Sequence, residues 1–267
     1  MELAGKVAII TGAGSGIGAA MVRRFAADGV ASLLLADLDA AAVADVAERL
    51  AASGVTVVAH PVDVADRDQV HAMVATAEAE LGPVDLLCSN AGIGSGEGLD
   101  ASPETWQRLW DVNVLGHVHA AQAVVPRMVA RGDGYVLATA SAAGLLTMVG
   151  DAPYSVTKHA AVAFAEWLAV TYGPRGVRVS ALCPQGVETP LLEGGSEEGS
   201  LSTRVVRAAA EVLQPDQVAD AVVAGLAAER FLILPHAEVA DHYRKKAADP
   251  DRWIGALQRF AATVEGR

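Results

Sequence analysis

The chain has 267 residues, of which 52% are hydrophobic, and it carries a formal net charge of −12 at pH 7. This length and hydrophobic content favour one large α/β core over a disordered chain, and the acidic balance argues against a nucleic-acid-binding surface. No apolar run reaches the ~18 residues that a membrane span needs. Cys88 and Cys183 are typical of reduced packing thiols, and the N-terminus lacks a basic segment, so a cytoplasmic protein is expected.

The first predicted strand leads into a glycine-rich turn and a helix. Val7 to Ile10 form an apolar run that suits a parallel strand covered on both faces, and TGAGSGIG at Thr11 to Gly18 follows. Backbone N–H groups and the positive end of a helix can bind a pyrophosphate at such a turn, where a Cβ would obstruct it. A tight turn without a ligand is the alternative. The turn residues expected to contact a dinucleotide are Gly12, Ser15, Gly16, Ile17 and Gly18.

The second predicted strand, Leu33 to Ala36, is followed by the acidic residue Asp37. A carboxylate at this point can accept hydrogen bonds from both adenosine ribose hydroxyls, and it repels a 2′-phosphate. Leu38 is apolar, and the glycine-rich turn contains no Arg or Lys. The sequence therefore predicts NAD rather than NADP as the cofactor, and an NADP-dependent carbonyl reductase is the alternative.

Strand and helix patterns alternate through the rest of the chain. Predicted strands cover 55–59, 84–88, 135–139, 177–182 and 231–234, and predicted helices cover 39–53, 66–81, 103–128, 153–172, 215–229 and 249–264. Repeated strand–helix units with right-handed crossovers predict a doubly wound, Rossmann-type sheet of seven parallel strands with helices on both faces. A single domain over residues 1–267 is expected. Asp63, after the third strand, could accept a hydrogen bond from an adenine amino group or cap a turn.

One segment departs from this alternation. Glu193 to Ser202, with the sequence EGGSEEGSLS, is acidic and rich in glycine and serine, and it lies between a strand end and the next helix. Ligands of doubly wound sheets bind beyond the carboxyl ends of the strands, so this segment predicts a flexible substrate lid around residues 190–212. A surface loop without a role is the alternative.

Tyr154 and Lys158 lie four residues apart on a predicted helix, so they project from one face. A nearby ammonium group stabilises a phenolate and lowers the phenol pKa from about 10, which permits proton exchange with an alcohol or a carbonyl. The pair alone is common on helices. Ser141, just after the fifth strand, adds a hydroxyl at the sheet edge that also carries the glycine-rich turn, and together these groups indicate an acid–base site.

These motifs resemble those of single-domain short-chain dehydrogenases/reductases over essentially the whole chain. The matching elements are TGAGSGIG at Thr11 to Gly18, Asp37, Asp63, SNAG at Ser89 to Gly92, Asn113 in DVNVLG, Ser141, and YSVTK at Tyr154 to Lys158. The resemblance implies that Tyr154 is the general acid/base and that Ser141 polarises the carbonyl. It further implies that Lys158 holds the nicotinamide ribose and lowers the Tyr154 pKa, while Asn113 holds a water that links Lys158 to solvent. Cofactor contacts are implied for Tyr154 and Lys158 and for a further set: Asp63, Val64, Asn90, Ala91, Gly92, Pro184, Gly186, Val187 and Thr189.

Two positions depart from the family pattern. Ser89 stands where the family usually has Asn, which predicts an altered hydrogen bond between strands. Gln185 replaces a glycine after the sixth strand, so it is predicted to help shape the substrate pocket, although a turn residue that faces away is an equal alternative. The predicted pocket residues are Ser141, Ala143, Tyr154 and Gln185.

The favoured function is NAD(H)-dependent interconversion of a secondary alcohol and a ketone, and small apolar pocket candidates favour a lipophilic or ring-containing substrate. A catalytically silent NAD-binding module is the alternative from another class. The histidines show no ligand spacing, so no metal site is predicted. The resemblance implies a homotetramer or homodimer that pairs long helices, on which small residues are predicted to form exposed faces: Ala120, Ala121, Ala161 and Ala165.

Overall fold

Seven parallel strands form one sheet at the centre of the computed structural model, which describes residues 1–51, 53–193 and 200–267. The strands are β1 (Val7–Thr11), β2 (Ser32–Asp37), β3 (Thr56–Pro61), β4 (Leu86–Ser89), β5 (Gly134–Thr139), β6 (Val177–Leu182) and β7 (Leu232–Ile233). Their order across the sheet is β3-β2-β1-β4-β5-β6-β7. The chain returns to the middle of the sheet after β3, and a cleft therefore opens beyond the ends of β1 and β4.

Helices connect the strands and cover both faces of the sheet. They are α1 (Gly16–Ala27), α2 (Ala40–Arg49), α3 (Arg67–Leu81), α4 (Pro103–Trp110), α5 (Gly116–Arg131), α6 (Ala143–Leu146), α7 (Ala152–Tyr172), α8 (Pro190–Glu193), α9 (Leu201–Ala209), α10 (Pro215–Ala227), α11 (Glu238–Ala248) and α12 (Pro250–Glu265). A π-helical turn at Asp111–Leu115 joins α4 to α5, and a 3₁₀ turn at Gly173–Arg175 follows α7. The doubly wound α/β fold predicted from the sequence is confirmed.

The sheet is buried on both faces because its central strands are apolar along their length. Ile9 of β1 packs in a core with α3, α5 and α7, whereas the next residue, Ile10, packs in a second core with α1, α2 and α10. Leu33, Leu34 and Leu35 of β2 are fully buried and alternate between the same two cores. The continuous apolar runs of the sequence therefore reflect burial on both faces.

The predicted elements differ from the structure at a few helices and at the last strand. The helix predicted over 39–53 ends at Arg49, and the helix predicted over 103–128 is divided by the π-helical turn. The strand predicted over 231–234 has only two residues. Helix α11 has no counterpart among the predicted elements, because its sequence is mostly polar and it buries only Val239.

The prediction that α5 and α7 expose faces of small residues is wrong. Helices α5 and α7 turn their small residues towards the chain's own core, so four residues are buried: Ala120, Ala121, Ala161 and Ala165. Helix α7 exposes larger apolar side chains instead, namely Val156, Trp167 and Val170.

The segment predicted as a substrate lid, 190–212, contains α8 and α9. Ser200 caps α9 by accepting a hydrogen bond from the backbone N–H of Thr203 at 3.2 Å. Residues 194–199, which carry most of the acidic and glycine-rich sequence, lie outside the described residues. The lid itself stays a prediction.

Candidate active site

The glycine-rich turn after β1 is joined to the loop after β4 by hydrogen bonds. The Thr11 hydroxyl accepts from the backbone N–H groups of Asn90 at 2.9 Å and Ala91 at 3.0 Å, and the Asn90 side-chain amide donates to the Thr11 carbonyl at 3.1 Å. Gly12 has a φ of +66°, and a Cβ there would stand 3.0 Å from the Ala91 Cα. Only glycine fits this close crossing of two loops, which fixes the floor of the cleft.

Asp37 lies directly beside the glycine-rich turn. Its Oδ2 accepts a hydrogen bond from the Gly14 N–H at 2.9 Å, and its Oδ1 accepts one from the Asp39 N–H at 3.1 Å. Asp37 and the exposed Leu38 both line the cavity above the turn. The carboxylate is thus held in place by backbone donors while one side faces the cavity.

A cavity of about 700 Å³ extends along the carboxyl ends of the strands. Nearly all residues predicted to contact the cofactor line it: Gly12, Ser15, Gly16, Ile17, Asp37, Asp63, Val64, Asn90, Ala91, Gly92, Tyr154, Lys158, Pro184, Gly186, Val187 and Thr189. The exception is Gly18, which lies behind the turn, where a Cβ would overlap the Gly12 carbonyl. The predicted pocket residues Ser141, Ala143 and Gln185 also line the cavity.

Asp63 caps a turn, which is one of the two roles that the sequence left open. Its Oδ1 accepts a hydrogen bond from the Ala65 N–H at 3.0 Å, and its Oδ2 forms an ion pair with Arg108 at 3.1 Å. Arg108 lines the same part of the cavity, although the sequence analysis did not single it out. The pairing gives this end of the cavity a cation beside a carboxylate.

Tyr154, Lys158 and Ser141 meet in the middle of the cavity, and all three are buried. Helix α7 carries Tyr154 and Lys158 one turn apart, and the Lys158 Nζ lies 5.6 Å from the centre of the Tyr154 ring. The Lys158 ammonium donates to the Thr139 carbonyl at the end of β5, at 3.1 Å. The Ser141 hydroxyl accepts from the Ala143 N–H at 3.1 Å and donates to the Pro184 carbonyl at 3.5 Å.

Burial dominates the electrostatics of these groups. The pKa of Tyr154 is raised to about 12, mainly by burial; the Ser141 hydroxyl opposes this shift and the nearby Asp151 carboxylate adds to it. Burial lowers the pKa of the Lys158 ammonium to about 8. Burial outweighs the groups that lower the Tyr154 pKa in this structure, and the lowering by Lys158 that the family resemblance implies stays a prediction. A positive charge bound in the cavity would act against the effect of burial.

Asn113 lies in the π-helical turn and is fully buried. Its Oδ1 accepts a hydrogen bond from the Ile93 N–H at 2.9 Å, and its Nδ2 donates to the Ile93 carbonyl at 2.8 Å. A Cβ on Gly92 would stand 3.1 Å from the Lys158 Nζ and 3.2 Å from the Asn113 Oδ1. Asn113 is therefore close to Lys158 but behind the cavity wall, where it ties the loop after β4 to the helices. Such π-helical turns occur often at functional sites.

The partner of Ser89 differs from the prediction. The hydroxyl of Ser89 pairs with His117 Nδ1 of α5 at 2.7 Å, so this hydrogen bond joins a strand to a helix rather than two strands. Burial and, to a smaller extent, the positive charge of Lys158 together lower the pKa of His117 to about 3, so the imidazole is neutral. No sequence pattern pairs these two residues, which are 28 positions apart.

The far wall of the cavity comes from the C-terminal helices, which the sequence analysis did not connect with the site. Trp253, Leu257 and Phe260 of α12 line the cavity at helical spacing, and His242 of α11 joins them. The indole N–H of Trp253 donates to the Leu146 carbonyl at 3.4 Å, which holds α12 against α6. The i, i+4, i+7 spacing of apolar residues was a visible signal of a buried helix face, but it could not reveal what the face covers.

Residues 6–199 match the family model described as short chain dehydrogenase. The chain is a short-chain dehydrogenase/reductase. A crystal structure of a short-chain dehydrogenase/reductase (SDR) from Burkholderia phymatum in complex with NAD aligns with it at a TM-score of 0.86 and 32% identity, over 94% of this chain and 96% of that chain.

Several curated SDR relatives are similar in sequence. The 1-deoxy-11-beta-hydroxypentalenate dehydrogenase of Streptomyces exfoliatus is 35% identical over 259 residues, which are 95% of this chain and 91% of that protein. The oxidoreductase UcpA of Escherichia coli (strain K12) is 37% identical over 194 residues, 72% of this chain and 73% of that protein. The glycine betaine reductase ATRR of Emericella nidulans is 36% identical over 225 residues, which are 84% of this chain but only 18% of that protein. This SDR is an oxidoreductase by family.

Two further features bear on what the SDR chain binds. Over 1–51, 53–193 and 200–267, no helix combines the length and apolar character of a membrane span. Within the same residues, no group of three or more His, Cys, Asp or Glu side chains is arranged to hold a metal ion.

Proposed function

We propose that this SDR interconverts a secondary alcohol and a ketone with NAD(H), and that Tyr154 is the general acid/base. The observation that carries the proposal is the presence of three groups in one cavity: the Tyr154 phenol, the Ser141 hydroxyl that lowers its pKa, and the Lys158 ammonium one helical turn away. A protein that only bound a dinucleotide would not need this set.

The residues around the cavity fit NAD. The Asp37 carboxylate faces the cavity beside the glycine-rich turn and suits two ribose hydroxyls better than a 2′-phosphate. At the start of α1, the side chain of Ser15 makes no capping hydrogen bond within the described chain, so the first N–H groups of the helix are available to a phosphate. The related SDR from Burkholderia phymatum was solved with NAD. When bound, NAD would accept the hydride in the direction of alcohol oxidation.

The proposed mechanism assigns one task to each polar group. The Ser141 hydroxyl would hold the substrate oxygen, and the Tyr154 phenolate would take the proton of that oxygen. The carbon that bears this oxygen would give up its hydride, which bound NAD would accept. The Lys158 ammonium stabilises the phenolate, since the pKa of a phenol falls beside a positive charge. Asn113 joins the loop after β4 to α7, because it makes two hydrogen bonds to Ile93 and its Nδ2 donates to the Thr157 hydroxyl at 3.2 Å.

The substrate class follows from the walls of the cavity. Beyond the polar groups, the cavity is lined by apolar residues of α6, of the loop after it and of α12, including Leu146, Met148 and Trp253. Apolar walls with few convergent polar groups select a lipophilic substrate, and a ring-containing alcohol or ketone fits them. The name of the relative from Streptomyces exfoliatus, a hydroxypentalenate dehydrogenase, agrees with a hydroxylated substrate of this kind.

A turnover screen tests the proposal. We expect the purified protein to reduce NAD with members of a panel of cyclic secondary alcohols, and Tyr154→Phe to lower kcat by about 10²- to 10⁴-fold, because proton transfer is lost. NADH affinity, measured by fluorescence titration, should be retained. Tyr172→Phe, near the end of the same helix, is the matched control and should keep full turnover.

The same screen separates the two alternatives. Turnover with NADPH in clear preference to NADH would favour an NADP-dependent carbonyl reductase. Tight NADH binding without turnover of any alcohol or ketone would favour a catalytically silent NAD-binding module. Unchanged kcat in Tyr154→Phe would remove the acid–base role.

We also propose that the protein forms a homodimer or homotetramer through α7. Val156, Trp167 and Val170 lie on one side of this helix and are about half to three-quarters exposed, at 48%, 53% and 73%. Adjacent exposed apolar side chains mark protein interfaces. Light scattering should give a multiple of the 27.4 kDa chain mass for the natural sequence and a smaller species for Val170→Glu.

A further inference from the structure

Gln185 is fixed beside Ser141 by its backbone neighbours. It follows Pro184, whose carbonyl accepts a hydrogen bond from the Ala142 N–H at 2.8 Å and lies 3.5 Å from the Ser141 hydroxyl. The Gln185 N–H donates to Nδ1 of the buried His236 at 3.1 Å, and the other ring nitrogen of His236 lies 3.2 Å from the Glu211 carbonyl. The backbone of Gln185 is thus held in place directly after Pro184, whose carbonyl contacts both Ala142 and Ser141.

The side-chain oxygen of Gln185 is buried and lacks a partner. Gln185 lines the cavity, yet its Oε1 makes no hydrogen bond with any residue that the structure describes. A buried acceptor without a donor is destabilising, and most such groups in folded proteins are paired. The Oε1 of Gln185 is therefore an acceptor that the described residues leave unsatisfied.

We propose that Gln185 is a substrate-recognition residue whose Oε1 accepts a hydrogen bond from a second hydroxyl on the substrate. The inference rests on the proposed function, because that function places the reacting oxygen at Ser141. The substrate class is then a ring-containing alcohol or ketone with one further hydroxyl near the reacting carbon. The apolar remainder of the cavity would contact the hydrocarbon frame of such a compound.

A second hydroxyl is a better donor for Gln185 than the cofactor. Further along the same loop, Val187 and Thr189 also line the cavity, and the family resemblance gives these two residues the contacts with the nicotinamide carboxamide. Gln185 stands where the family usually has a glycine, so the cofactor is bound elsewhere in the family without this amide. The additional acceptor therefore serves a group that is particular to the substrate.

Binding of matched ligands tests the inference without relying on turnover. The variant Tyr154→Phe, with NAD present, is titrated by calorimetry with 1-indanol, indane-1,2-diol and indane-1,3-diol. We expect at least one diol to bind about tenfold more tightly than 1-indanol, because it pairs the buried oxygen. Adding Gln185→Met, which keeps a side chain of similar length without the acceptor, should abolish this preference. Adding Gln185→Glu, which keeps an acceptor oxygen, should preserve it.

Three results would overturn the inference. One is equal affinity for 1-indanol and both diols, or no binding of any of them, in Tyr154→Phe. Another is a diol preference that survives Gln185→Met. The third is a loss of NAD affinity in Gln185→Met with the diol preference intact, which would assign the amide to the cofactor. Failure of the proposed function would be seen in a different measurement. It would appear as a lack of NAD-dependent turnover by the natural sequence, whichever ligand the Tyr154→Phe variant prefers to bind.

Discussion

The carboxylate of Asp151 accepts a hydrogen bond from the backbone N–H of Tyr154 at 3.0 Å. The same carboxylate accepts hydrogen bonds from the Ser95 N–H and hydroxyl at 3.0 and 2.8 Å, and from the Gly96 N–H at 2.6 Å. Asp151 is buried and caps α7 at the turn that carries Tyr154. One side chain therefore fixes both the proposed acid/base residue and the loop that forms the cavity wall opposite it.

Asp151→Ala should lower the free energy of unfolding by roughly 2–4 kcal/mol, since it leaves several buried N–H groups without an acceptor. Urea unfolding measures this loss. Asp151→Asn keeps an acceptor but removes the negative charge that raises the pKa of Tyr154, so the pH dependence of turnover should move to lower pH. An unshifted profile in Asp151→Asn would show that Asp151 acts on the fold alone.

Lys158 should make stability depend on pH in an unusual direction. Burial lowers the pKa of its ammonium from 10.5 to about 8, so between these values the unfolded chain binds a proton that the folded chain does not. Stability from this group therefore rises as the pH increases from about 8 to 10.5, and at pH 7 the buried charge is a cost. Lys158→Met should raise the free energy of unfolding at pH 7 by on the order of 2 kcal/mol.

Urea titrations at pH 7, 8.5 and 10 check the effect of Lys158. The advantage of Lys158→Met over the natural sequence should shrink as the pH rises. The exposed Lys245 offers a matched control, and Lys245→Met should show no such trend. A constant difference between Lys158→Met and the natural sequence at all three pH values would contradict the expectation.

Asp37→Asn should change the choice of dinucleotide. The substitution keeps the shape of the side chain beside the Gly14 N–H but removes the charge that repels a 2′-phosphate. We expect the ratio of NADPH to NADH dissociation constants to fall by about tenfold in fluorescence titrations. Asp39→Asn is the control, because Asp39 caps α2 and does not line the cavity. Equal changes in both variants would argue against a ribose contact at Asp37.

Trp253→Ala should alter substrate size preference and leave the cofactor site intact. The substitution removes an indole from the cavity wall and its hydrogen bond to the Leu146 carbonyl. We expect the ratio of kcat/KM for a bulky ring-containing alcohol to kcat/KM for 2-butanol to change by at least about tenfold. Ile254→Ala, at the neighbouring and largely exposed position, should leave this ratio unchanged. NADH affinity should be the same in both variants.

Local patterns made most of the fold and the central residues of the site predictable. The apolar runs of the strands reflect burial on both faces, and the glycine-rich turn and the spacing of Tyr154 and Lys158 each lie within one or two adjacent elements. Such short-range patterns carry their geometry with them, because a helix fixes which residues share a face.

Long-range contacts could not be predicted in the same way. The pairing of Ser89 with His117 depends on how α5 packs against the sheet, and the contact of Trp253 with Leu146 joins residues 107 positions apart. The π-helical turn that carries Asn113 was also absent from the predicted elements, because one additional residue in a helical turn leaves the apolar pattern nearly unchanged. The pKa of Tyr154 was difficult to predict for a similar reason. The neighbouring Lys158 ammonium suggested a lower pKa, but burial, which depends on the whole fold, is the larger influence and raises it.

The position of α12 over the cavity has an evolutionary consequence. The glycine-rich turn and the proposed acid–base side chains lie within residues 6–199, which match the family model, whereas Trp253, Leu257 and Phe260 lie beyond them. After a gene duplication, substitutions in this C-terminal segment can change the shape of the pocket while the residues proposed to carry the reaction stay the same. Chimaeras that exchange this segment between paralogues should therefore transfer specificity as a block.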